Sequence, residues 1–103
     1  MARYKPGFYL GRDEAGICAA LSCEGYRPQR IEEPPGAVYD AQRHLTDILI
    51  AYVQGSAEVR VGDRIYNCRA GDRLLIPGNI EHSAKIGPEG VVYLMTEIEA
   101  LAD

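Results

Sequence analysis

Short apolar or alternating runs, broken every several residues by Gly, Pro, Asp or Asn, fill the chain, and no helical stripe of useful length interrupts them. This is the pattern of an all-β sandwich or barrel with less than about a fifth helix. It predicts strands over Phe8–Leu10, Ile17–Leu21, Gln29–Glu32, Val38–Gln42, Asp47–Val53, Ala57–Val61, Arg64–Cys68, Arg73–Ile76, His82–Ile86 and Val91–Ile98. Ala57, Val59 and Val61 alternate with Glu58 and Arg60, as in a strand with one face buried, and Gly62-Asp63 then turns the chain at two-residue hairpin length. Arg73–Ile76 is closed by Pro77, which cannot donate to a ladder and suits a strand end. Glu32-Glu33-Pro34-Pro35-Gly36 is stiff and turn-rich and is expected to cross one end of the barrel, while residues 97–103 form a helical turn or fray.

With 103 residues, 47% hydrophobic and 25% charged, the chain has the make-up of one ordinary globular domain spanning residues 1–103. A formal charge of −4 leaves no basic stripe, which argues against a nucleic-acid partner. The apolar run near the start ends after Phe8-Tyr9-Leu10, too short for a signal peptide, and no stretch reaches membrane-spanning length, so a cytoplasmic protein with no membrane partner is expected. Cys18, Cys23 and Cys68 form no C-x-x-C pair and are odd in number, so they are read as reduced and mostly as small buried hydrophobes. Arg60, Arg64, Arg69 and Arg73 cluster in sequence, but strand alternation scatters them over the surface.

No nucleophile elbow, P-loop or dinucleotide fingerprint is present. The parity of the strand beginning at His82 is informative instead: if Ala84 and Ile86 face the core, so does His82, with Glu81, Ser83 and Lys85 outside. Tyr39, Tyr52, Tyr66 and Tyr93 are expected as core or wall residues, one or two of them lining a pocket.

The stretch Gly36–Ile86 resembles the core of the cupin superfamily, in particular its small single-domain members of the cupin 2 group. The second cupin motif, G-x5-P-x-G-x2-H, is matched by GDRLLIPGNIEH from Gly71 to His82, with Asn79 in place of the inner glycine, and Asn tolerates the left-handed backbone such a turn needs. The first motif, G-x5-H-x-H-x3,4-E-x6-G, aligns on GAVYDAQRHLTDILIAYVQG between Gly36 and Gly55, with Gln42 and His44 at the two histidine positions and Ile48 at the glutamate. The resemblance implies an antiparallel jelly-roll barrel, a double-stranded β-helix. In the family its interior holds a divalent metal such as iron, manganese, nickel or zinc.

On a regular strand Gln42, His44 and Ile48 share a parity and would line the interior together, with Ile50, Tyr52, Ala84 and Tyr93 as further wall residues. Gln42, His44 and His82 carry no negative charge, a set that binds a borderline transition metal only weakly. Asp47 falls on the outer face unless a one-residue bulge swings it inward, and Asp40 and Glu33 are poorer substitutes. The expected protein binds a small polar metabolite in the barrel, through a weakly held metal or through His44, His82 and Gln42 directly. As an enzyme it would do isomerase, lyase or dioxygenase chemistry; the alternative is a non-catalytic sensor or scaffold that has lost its metal site. A homodimer is expected, because an apolar N-terminal strand at Phe8–Leu10 would otherwise leave an open sheet edge.

Overall fold

The computed structural model describes residues 2–98. In chain order the elements are β1 (Arg3–Lys5), α1 (Glu14–Cys23), β2 (Gln29–Glu33), β3 (Val38–Gln42), β4 (Asp47–Val61), β5 (Arg64–Arg69), β6 (Arg73–Ile76) and β7 (His82–Ile98). All pairings are antiparallel, and β4 and β7 run side by side along nearly their whole length, from Asp47↔Ile98 to Val61↔His82. Register shifts between Tyr52 and Gln54 and between Gly55 and Ala57 bend this pair, so that each long strand serves two layers. One layer has the order β1-β6-β4-β7-β2, and in the other β5 flanks the second half of β4 while β3 flanks the first half of β7. The jelly-roll barrel expected from the sequence is thus observed, with two pairs of expected strands fused into single long ones.

The alternation read in Ala57, Val59 and Val61 is real, and all three are buried in the interior with Ile48, Ile50, Tyr52, Leu74 and Ile76. Leu49 and Ala51 point the other way, into a second core with Tyr9, Ile17, Leu21 and Leu94. The unbroken apolar run Ile48–Tyr52 follows from this, because a strand covered on both faces has no polar side to alternate with.

Two expected strands are corrected. Ile17–Leu21 lies within the ten-residue helix α1. Asp13 caps it, its side chain accepting from the Gly16 N–H at 2.8 Å, and Ile17 and Leu21, one turn apart, supply its buried stripe. Phe8–Leu10 is a turn, with Tyr9 buried and its hydroxyl accepting from Arg73 at 3.2 Å. The dimer argument built on an edge strand at that position therefore lapses. The expected helical turn or frayed end also starts too early: Glu97 and Ile98 belong to β7, and the remainder lies outside the described residues. The segment 34–37 carries the chain from β2 in one layer to β3 in the other, across the barrel end as the prolines suggested. Among the described residues no helix is long and apolar enough to cross a membrane.

Candidate functional site

Between the layers lies a cavity of about 140 Å³. Eight of the residues singled out from sequence line it together: Gln42, His44, Ile48, Ile50, Tyr52, His82, Ala84 and Tyr93. Its floor is apolar, with Val59, Ile76, Ile86 and Met95 beside the two isoleucines, and its polar groups gather at one end.

The polar end is built by two segments fastened to each other. Gln42 closes β3 directly opposite His82, the first residue of β7. His44 is not on a strand, as expected, but in the connection 43–46, and it nonetheless faces His82 with ring centroids 5.2 Å apart and planes 31° from parallel. The connection is pinned to the turn before β7. The Asn79 N–H donates to the His44 carbonyl at 2.5 Å, and the Asp47 carboxylate accepts from the Gly78 N–H at 2.7 Å. A Cβ on Gly78 would lie 2.7 Å from the Leu45 carbonyl oxygen, so only glycine permits this approach. Asn79 adopts the left-handed backbone (φ 62°) anticipated at that motif position. Asp47 is therefore a turn-holding group and is absent from the cavity lining, as strand parity indicated; no bulge brings it inward.

His82 is only 8% exposed. Its Nδ1 lies 3.3 Å from the Ile80 carbonyl, which can only accept, so the ring proton sits on Nδ1 and Nε2 is left as an acceptor. Burial lowers its pKa, opposed by the Ile80 hydrogen bond and reinforced by His44 nearby. The unfolded chain consequently binds more protons than the folded one as pH falls. His82 should leave stability untouched above about pH 6.5 and reduce it progressively below, until the folded-state pKa is passed. Urea midpoints measured from pH 7.5 to 5 should show this slope in the wild type and a flatter one in His82→Asn; equal slopes would discard the assignment.

Two further polar groups reach the cavity: Glu33, weighed from sequence only as a poorer substitute for the missing carboxylate, and Tyr39, one of the four tyrosines expected in the core or wall. Glu33, at the end of β2, shares the inward parity of Ile31, and Tyr39 on β3 donates its hydroxyl to the Glu33 carboxylate, joining the edge strands of the two layers. The parity of Gln29, Ile31 and Glu33 was the available signal for Glu33. The Tyr93 hydroxyl is pushed up to about 12, first by burial and then by the neighbouring Glu33 and Tyr39, and burial likewise raises Tyr52. Both phenols stay protonated and can donate. Burial also raises the Cys68 thiol to about 12, which makes it inert.

The donor set fits a resident divalent metal poorly. Among the described residues no three His, Cys, Asp or Glu side chains come together as a metal site. The position of the family's carboxylate is the apolar Ile48, and Asp47 is occupied at Gly78. Two imidazoles and an amide, with no anionic ligand, hold borderline metals weakly and hard ions hardly at all.

A family model described as the AraC-like ligand binding domain matches residues 30–102. Among solved structures, an RmlC-like cupin from Shewanella frigidimarina is 27% identical, with a TM-score of 0.62 over 72% of this chain and 66% of that one. A DUF861 family protein from Thermotoga maritima is 15% identical and superposes with a TM-score of 0.65 over 95% of this chain and 100% of that one. An oxalate decarboxylase variant from Bacillus subtilis is 24% identical, with a TM-score of 0.63 over 72% of this chain but only 21% of that one. The last two show the shared cupin fold alone, and the chain spans just under two thirds of the Shewanella protein. No curated protein matches the sequence significantly.

Proposed function

Because the chain belongs to the AraC-like ligand-binding domain family, we propose that its barrel is a receptor for one compact small molecule, held by its apolar body in the floor and by its polar end among Gln42, His44 and His82. The observation that carries this reading is the cavity itself, a mostly apolar lining into which a few polar side chains converge. Its volume of about 140 Å³ is close to the roughly 150 Å³ of an engineered apolar cavity that takes up benzene. The ligand therefore has about six to ten non-hydrogen atoms. At roughly 0.5–1 kcal/mol per atom, such a molecule gains about 3–10 kcal/mol and binds with a Kd from several millimolar down to tens of nanomolar.

Binding is favoured over catalysis by the surroundings of the histidines. A general base needs an orienting partner and a reacting group within reach. The Ile80 carbonyl orients His82 through Nδ1, but among the described residues no side-chain nucleophile or carboxylate is hydrogen-bonded to either histidine. A weakly bound transition metal at His44, His82 and Gln42 would be an adjunct of this receptor rather than its working part. Three cysteines without disulfides accord with a cytoplasmic setting. Exposed Val38 and Ile65, on edge strands β3 and β5, support assembly as a homodimer.

The test is a thermal-shift screen of the intact chain against phenols, amines, short polyols and small carboxylates of that size, repeated on Ala84→Leu. Leucine at this inward position fills much of the cavity with little strain, because the space is already open. Hits should raise the wild-type midpoint and lose their effect in the variant. Hits that stabilise both proteins alike would bind elsewhere, and the receptor reading would fall.

A further inference from the structure

The electrostatics of the same cavity select a class of ligand, an inference that rests on the receptor reading above. Among the described residues Glu33 is the one carboxylate in the lining, and no lysine or arginine lines it. Arg43, between Gln42 and His44, reaches instead to the Asn79 carbonyl at 3.4 Å, and Arg30, three residues before Glu33, pairs with Glu14 and Glu32. Arg60 and Lys85 belong to the exposed positions of β4 and β7, which alternate with the inward ones. Tyr39 satisfies one site on the Glu33 carboxylate by donating to Oε2, and a carboxylate has several more lone pairs to offer. Tyr39, Tyr52 and Tyr93 add aromatic rings to the wall, the last two with centroids 5.9 Å apart.

An anionic ligand would have to shed its water beside Glu33 without gaining a positive partner, which is unfavourable. A cation would find a carboxylate, aromatic faces and imidazole acceptors, within a protein whose formal charge of −4 also draws it in. We propose that the barrel cavity recognises a compact organic ammonium ion, with Glu33 as its counter-charge and the tyrosine rings packed about its body.

Three probes of matched size and different charge test this: benzylamine, benzyl alcohol and benzoate, each titrated calorimetrically into the intact protein. Benzylamine should bind about tenfold more tightly than benzyl alcohol, with benzoate weakest, and its advantage should shrink as salt is raised. In Glu33→Gln the advantage of benzylamine over benzyl alcohol should disappear. In Tyr39→Phe, which removes the hydroxyl but keeps the carboxylate, the preference for the amine should persist and so separate charge from any loosening of the β2–β3 link. If benzyl alcohol binds and Ala84→Leu blocks it, yet benzylamine is no tighter or benzoate is tighter, the ammonium assignment is wrong while the receptor reading stands. A preference that survives Glu33→Gln overturns the assignment equally. If none of the three binds, or if binding survives Ala84→Leu, the receptor reading fails and the ligand class with it.

Discussion

Gly55→Ala is expected to remove about 4 kcal/mol of stability, a large part of what a domain of this size possesses. Gly55 has φ +78°, and a Cβ there would lie 2.0 Å from the Gly90 carbonyl oxygen and 3.0 Å from the Val91 Cα. All the obstructing atoms are backbone, so no rotamer change relieves the overlap. The two strands would have to part where β4 passes from one layer to the other, between Gly55 and Ala57. Gly62→Ala is the control: its φ is also positive, at +58°, but the added methyl would meet only the Ile80 Cδ1 at 3.5 Å. That change should cost about 1 kcal/mol, the backbone penalty without the collision. Thermal unfolding followed by circular dichroism should place Gly55→Ala on the order of 20 °C below the wild type. A drop no larger than that of Gly62→Ala would show that the corner yields more easily than its geometry implies.

Ile48→Glu should lower stability by a similar amount and then regain it in the presence of Zn²⁺ or Ni²⁺. Ile48 is 4% exposed, so the substitution forfeits about 2–3 kcal/mol of apolar burial and introduces a carboxyl group with no cation in the lining to neutralise it. The introduced carboxylate would share a cavity with His44 and His82, giving two imidazoles and one anion, a far better set for a borderline metal than the wild type has. Saturating metal should restore most of the lost midpoint in the variant and shift the wild type only slightly. The rescue should weaken as pH falls, because protons compete with the metal for its ligands. A variant indifferent to metal would mean that the two rings and position 48 do not converge on one point.

The parts of the fold that were legible in sequence are those with a solvated side. β3 was placed at its observed limits, and the Ala57–Val61 alternation and Gly62-Asp63 turn were plain, because polar positions marked the outer face; β6, covered on both faces, was bounded instead by Pro77. Helix α1 was missed because an apolar segment as short as Ile17–Leu21 looks alike in either conformation; the Asp13 cap and the alanines around it were the only contrary signs. The fusion of strands into β4 and β7 was hidden as well, since a bulge at Gly55 and the turn signal Gly87-Pro88 read as chain breaks when taken locally.

The site divides along the same line. The residues on β4 and β7 follow from strand parity once one inward residue is known, and Ile48, Ile50, Tyr52, His82, Ala84 and Tyr93 all appear in the lining. His44 reaches the cavity by another route, a loop held by Asn79 and Asp47, which no rule of alternation describes. Glu33 ranked low among the carboxylates because its charge suggested solvent, and nothing in the sequence told Tyr39 apart from the other tyrosines expected in the wall. Only the pairing of β2 and β3 with different halves of β7 brings them together.

The long β4–β7 pair also bears on how the site comes into being. The β4–β5 hairpin, closed by two residues, is a local event and should form on the microsecond scale. The cavity needs Val61 paired with His82 and Asp47 with Ile98, and the second of these pairings waits until the whole of β7 has been threaded alongside β4. Contacts so far apart along the chain place the protein among slow two-state folders, in the millisecond-to-second range. The rings of His44 and His82 then meet only in the last stage of assembly, and a chain that ended partway along β7 would carry both histidines of the site without a site to put them in.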